Sequence, residues 1–124
     1  MMRRRPACLC LPWPPASGNH QYGRRTRGVY LRREVTAWRD EVAWLARGWR
    51  AEPPVELRIR LFPPDRRRRD ADNVLKLLLD ALVQGGVLSD DSNRVVRAYR
   101  LEWGQPRPGG AIEVEWVRAS WSDR

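Results

Sequence analysis

Apolar and polar positions alternate along residues 55–61: Val55, Leu57, Ile59 and Leu61 against Glu56, Arg58 and Arg60. A period of two marks a strand with one buried face. Upstream, Leu31, Val35, Trp38, Val42, Leu45 and Trp49 recur at steps of four and three, the stripe of an amphipathic helix, with Gly48 placed to cap its end. A second helix is predicted over about residues 72–84, stopped by Gly85-Gly86. On it Asn73, Lys76, Asp80 and Gln84 form one narrow polar stripe, and leucines, valines and Ala81 cover the rest. An apolar surface that wide needs burial on more than one side. A short strand at 7–11, halted by Pro12-Trp13-Pro14-Pro15, leads into a polar, Gly-rich and basic loop over 16–28. Beyond the second helix, residues 89–93 read as a turn, and strands at about 94–103 and 111–117 close the chain. The order βαβαββ predicts one small α/β domain of α+β character over residues 1–124, a mixed sheet with two packing helices, with a basic tail at 1–6 and a second tail at 118–124.

A length of 124 residues suits one core and not two. Charge changes the picture more: 24 basic residues against 15 acidic ones give a net +9. Such a surface attracts a polyanion, and nucleic acid is favoured over an acidic substrate or an anionic membrane. No apolar run approaches the roughly 20 residues of a membrane span. The start, Met1-Met2-Arg3-Arg4-Arg5, faintly imitates a secretory leader, but Pro6, Pro12, Pro14 and Pro15 break the apolar stretch behind it. Cys8 and Cys10, two apart on a strand, point the same way and are poorly placed to bridge each other; they read as ordinary residues of a cytoplasmic protein. His20 is the only histidine, so a zinc site would need carboxylates to complete it.

The chemistry concentrates in Asp70-Ala71-Asp72, with Lys76 one helical turn past Asp72 and the pair Asp90-Asp91 beyond the helix. Two carboxylates so close, behind Arg66, Arg67, Arg68 and Arg69, suit a hard cation. Mg²⁺ takes oxygen ligands and is commonly held by one or two carboxylates plus substrate phosphate. Simpler readings stand beside this one. Asp70 or Asp72 could cap the helix, Lys76 could pair with Asp72 or Asp80, and Asp90-Asp91 could be plain turn residues. The arginine run could be a solvated loop, although bidentate contact with phosphate is favoured beside candidate metal ligands. Usage of cations tilts the balance: the chain has 23 arginines and one lysine, and that lysine sits beside the paired aspartates. A compact ammonium fits where a guanidinium would crowd. Of the seven tryptophans, Trp38, Trp49 and Trp116 fit core positions, which leaves Trp13 and Trp44 as interface candidates.

These residues carry a pattern. Leu11-Pro12-Trp13-Pro14-Pro15 resembles the opening strand of the RusA family of Holliday-junction resolvases, as does the stretch Pro64-Asp65-Arg66-Arg67-Arg68-Arg69-Asp70-Ala71-Asp72-Asn73 with Lys76, Asp80-Ala81-Leu82 and Gly86-Val87-Leu88-Ser89-Asp90-Asp91. The resemblance implies a homodimeric, Mg²⁺-dependent endodeoxyribonuclease, with Mn²⁺ as a substitute ion, that cuts four-way DNA junctions by paired nicks. By position it implies Asp70, Asp72 and Asp91 as the essential acidic residues and metal ligands, with Asp90 the alternative member of its pair. Lys76 becomes the catalytic neighbour of the metal site and Arg69 a DNA contact. The loop arginines Arg24, Arg25 and Arg27 join Arg66, Arg67 and Arg68 as candidate DNA-binding residues.

Charge alone predicts a non-catalytic DNA- or RNA-binding module equally well, so the acidic cluster and the lone lysine carry the nuclease reading. Geometry adds one expectation. A helix over 72–84 spans about 20 Å, with Asp70 and Asp72 at its start and Asp91 beyond its end. A two-fold dimer with these helices antiparallel would bury their surplus apolar surface and set Asp70 and Asp72 of one subunit near the partner's Asp91.

Overall fold

The structure is a computed structural model that describes residues 8–15 and 25–120, and of residues 25–31 the backbone alone. The basic tail at 1–6, Ala7, His20 and Arg24 within residues 16–24, and residues 121–124 lie outside the described residues. Six elements follow in the expected order: β1 (Leu9–Leu11), α1 (Arg25–Ala46), β2 (Val55–Phe62), α2 (Ala71–Gln84), β3 (Val96–Trp103) and β4 (Ala111–Arg118). The sheet runs β1-β4-β2-β3. β2 pairs parallel with β3 and antiparallel with β4, and β1 pairs antiparallel with β4. The parallel pair needs a crossover, which α2 supplies.

Alternation in β2 works as its pattern predicts: Val55, Leu57, Ile59 and Leu61 are buried, and Arg58 and Arg60 face solvent on the other side. β4 contributes Ile112, Val114 and Trp116 to the same core, and it takes in Arg118, which the sequence assigned to the tail.

Two expectations for α1 need correction. The helix begins at Arg25, so Arg25 and Arg27 belong to it and not to a loop. Arginine is a good helix former, and a single Gly28 costs only about 1 kcal/mol, which a helix of this length absorbs. Its buried line is Trp38, Val42 and Ala46, while Leu45 is largely exposed and Trp49 packs against the core from beyond the helix end. Small residues turn inward because the helices come close. A Cβ built on Gly85 would lie 3.0 Å from the Ala43 backbone. Gly48 has φ +86°, the left-handed conformation of a helix terminator.

α1 also removes the need for an α2–α2 dimer. It packs along α2, with Gln84 Nε2 donating to Asp40 Oδ1 at 2.7 Å, so α2 finds its second packing surface within the chain. Among the described residues the exposed large hydrophobic ones are Trp44, Leu45, Tyr99 and Trp103, none of them on α2. Among the described residues no helix is long and apolar enough to cross a membrane.

Candidate active site

The site is built where β2 stops. Pro63-Pro64 end the strand, and the link between β3 and β4 closes over that end: Gly104 N–H donates to Leu61 O at 2.7 Å and Arg107 N–H to Pro63 O at 2.9 Å. Asp65 then organises the arginine run. Its Oδ1 accepts the Arg67 N–H at 2.9 Å, an Asx turn, and lies 2.8 Å from Arg69 Nη1. The same Arg69 nitrogen donates to the carbonyls of Asp65 and Arg67 at 3.2 Å each. Arg69, followed by Arg67, holds the Asp65 carboxyl below its ordinary range. Arg69, expected as a DNA contact, therefore invests its guanidinium in the loop's own shape, and it also stands 5.9 Å over the Trp13 ring. Arg66 and Arg68 are exposed and take part in no ion pair among the described residues. Arg67 keeps a loose 3.7 Å approach to Asp65 with its side chain 84% exposed.

Asp70 occupies the N-cap of α2 in an extended conformation, and its side chain makes no capping hydrogen bond. Asp72, in the first turn, accepts only the N–H of its neighbour Asn73, at 2.9 Å. Neither carboxylate forms an ion pair among the described residues, and Lys76 pairs with neither Asp72 nor Asp80. The capping and ion-pair readings of Asp70 and Lys76 thus go unused. Beyond α2 the two adjacent aspartates part company. Asp90 Oδ1 accepts the Ser92 N–H at 2.7 Å, and hydrogen bonding from Ser92 holds the Asp90 carboxyl below its ordinary range. Asp91 is exposed and lies near Tyr99, whose phenol is pushed up by burial first and by the Asp91 charge second.

Exposed oxygen donors free of cation partners fit a hard divalent ion. They do not gather at one point: among the described residues no three His, Cys, Asp or Glu side chains form a metal-sized cluster. α2, with 14 residues and about 21 Å of length, runs between the pair Asp70 and Asp72 and the turn that holds Asp91. Asp65 and the contact of Trp13 with Trp103, ring centroids 6.4 Å apart, escaped the sequence reading. The i,i+4 spacing of Asp65 and Arg69 was the available signal for the first. Nothing local signals the second.

Residues 12–115 match the family described as Endodeoxyribonuclease RusA. The chain is 39% identical over 111 residues to the crossover junction endodeoxyribonuclease rusA of Enterobacteria phage 82, covering 86% of this chain and 89% of the relative. Over the same shares of each chain it is 38% identical to the crossover junction endodeoxyribonuclease RusA of Escherichia coli (strain K12) and 37% identical to that of Shigella sonnei (strain Ss046). A match over nearly the whole fold, taking in the arginine run, both aspartate pairs and Lys76, places this chain in the RusA endodeoxyribonuclease family.

Proposed function

We propose that the chain resolves four-way DNA junctions by paired, metal-dependent phosphodiester hydrolysis, working as a homodimer on DNA in the cytoplasm. The observation that carries this reading is the set of uncommitted charges: Asp70, Asp72, Asp91 and Lys76 form no ion pair among the described residues, in a chain of net charge +9. Asp70 and Asp72, with Asp91, would hold Mg²⁺, or Mn²⁺ in its place. The bound ion would polarise a phosphodiester oxygen and lower the pKa of a water. Lys76, on the same face of α2 one turn beyond Asp72, places an ammonium against the charge that builds on the scissile phosphate. Arg66, Arg67 and Arg68 grip neighbouring phosphates, while Arg69 keeps their loop in shape.

Because one chain does not bring Asp91 to Asp70 and Asp72, each site takes Asp70 and Asp72 from one subunit and Asp91 from its partner. Two such sites supply two nicks. The test incubates the protein with labelled four-way junction and with linear duplex, in Mg²⁺, in Mn²⁺ and in EDTA. The expected result is paired cleavage of the junction in either ion, none in EDTA, and little cutting of the duplex. Junction binding with no cleavage in any ion would make the chain a binding module instead.

A further inference from the structure

β3 lies at the edge of the sheet, with β2 as its one strand neighbour. Its register sets Tyr99, Leu101 and Trp103 opposite Leu57, Ile59 and Leu61, so all six share the face on which the helices pack. The β2 residues are buried, yet Tyr99 and Trp103 remain 42% and 43% exposed. Core packing does not account for two large aromatics left open on one strand.

Trp103 sits on a built floor. Its ring is tilted 43° against that of Trp13, and Trp13 packs on the core. The segment carrying Trp13 is pinned by the Trp38 indole N–H, which donates to Pro12 O at 2.9 Å. Gly110, at φ +72°, backs Trp13 so tightly that a Cβ there would come within 2.7 Å of it. On the opposite face of the sheet Arg107 lies 3.5 Å over the Phe62 ring. Gly104, next to Trp103 in the chain, leaves no space for a side chain against that ring. The contacts run from Trp103 through Trp13 to Arg69, and Asp70 is the next residue.

We propose that Trp103 is a stacking platform for a DNA base that leaves its helix at the branch point, and that it makes the chain prefer branched over linear DNA. The proposal rests on the resolvase reading. Charge identifies the occupant. The Trp13–Trp103 pair stands beside Arg69, which closes the loop of the exposed Arg66, Arg67 and Arg68. Of those three only Arg67 approaches a carboxylate among the described residues, at 3.7 Å, so burying them against a protein partner would cost desolvation. A nucleotide offers a planar base to the indole and phosphates to the guanidiniums. In a continuous duplex every base is stacked already, so the platform takes nothing; where strands exchange, a base leaves the stack at lower cost.

The test compares Trp103→Ala, Trp103→Leu and Trp103→Phe with the parent in Ca²⁺, to read binding apart from cleavage. The probes are a four-way junction carrying 2-aminopurine beside the branch point and a linear duplex of the same sequence. The Ala and Leu variants are expected to bind the junction about tenfold more weakly, to keep the parent's duplex affinity, and to lose the change in 2-aminopurine fluorescence. Trp103→Phe restores most of both. Thermal unfolding checks each fold, and the Leu variant, which keeps apolar bulk over Trp13, carries the comparison if Ala does not fold. Unchanged junction affinity and fluorescence in the Leu variant, beside a parent that still cuts junctions, overturns the platform alone. A shift from dimer to monomer in sedimentation would instead make Trp103 part of the contact between copies and also overturn it. A parent that neither prefers nor cuts junctions removes the resolvase reading and the platform with it.

Discussion

Two surfaces of this molecule use the same residue types and end in opposite states. On the open face of the sheet, Arg58 meets Glu56 at 2.8 Å, Arg60 meets Glu102 at 2.8 Å and Arg107 meets Glu113 at 3.5 Å. Glu115 faces Arg58 across the β2–β4 pairing, and Arg100 stands beside Arg58 on β3. That face is dense in charge and close to neutral. In front of α2, one carboxylate, Asp65, serves Arg69 and loosely Arg67, and the remaining charges of both signs face solvent. The sheet explains the difference, since its pleat and pairing crowd charges of both signs onto one face within reach of each other. The loop and helix start spread Asp70, Asp72 and Lys76 where no complementary strand can meet them. Charge satisfied within the fold is a poor tool for holding an ion or a phosphate. The net positive charge of the chain therefore has chemical use in front of α2 and little on the sheet.

The sharpest break of this contrast removes the uncommitted carboxylates. Asp72→Asn and Asp91→Asn should each lower junction cleavage by about a thousandfold or more, the loss expected when several kcal/mol of metal-assisted stabilisation disappears. Asp90→Asn, whose carboxylate serves Ser92, should stay active. Junction binding in these variants should be equal or tighter, because negative charge has been removed beside DNA. Mixing Asp70→Asn with Asp91→Asn dimers leaves one intact shared site in each heterodimer, so single-strand nicking should return. Confirmed subunit exchange without nicking would place each site within one chain.

Next in size is Lys76→Arg. It preserves charge, yet a planar guanidinium does not replace a compact ammonium at a phosphate, and a loss of about a hundredfold in the single-turnover rate is expected. Near-normal turnover would return Lys76 to the solvated surface of α2. The smallest effect sharpens the comparison of surfaces most directly. Arg67→Ala should make the dependence of log binding constant on log salt shallower, by about 0.9 for each phosphate that the protein no longer neutralises. Arg58→Ala, on the neutral sheet face, should leave that slope unchanged. Equal slopes for the two variants would mean that DNA reaches both surfaces.

Local pattern made much of this legible. β2 and β4 alternate with period two against a single core, and α2 announces itself by its leucines and by the glycines behind it. Asp70, Asp72 and Lys76 fall within two turns at the start of one helix, so spacing alone sets them together. What failed to show depends on distant partners. Leu45 outranks Ala46 in any count of apolar size, but the face of α1 that passes over Gly85 at Ala43 carries Ala46 inward and leaves Leu45 exposed. Asp90 and Asp91 are identical in kind and adjacent, and only the backbone of the turn decides that the first is bound to Ser92 and the second left free. Trp13 and Trp103 stand ninety positions apart in the chain, joined through the strand order and not through any motif.

The contact of Gly85 with Ala43 reaches further than helix packing. α2 ends at Gln84, and the turn bearing Asp91 is suspended from that end. Its anchorage is a place where two backbones lie so near that one additional carbon would sit 3.0 Å from the Ala43 Cα, with no flexible side chain to yield. An added methyl there must move a helix, and a shift of a few tenths of an ångström would travel down the turn to Asp91, the carboxylate that the proposed site sets beside two others. The alignment of the proposed site would thus be held by a clearance, and position 85 would control it by what it leaves out.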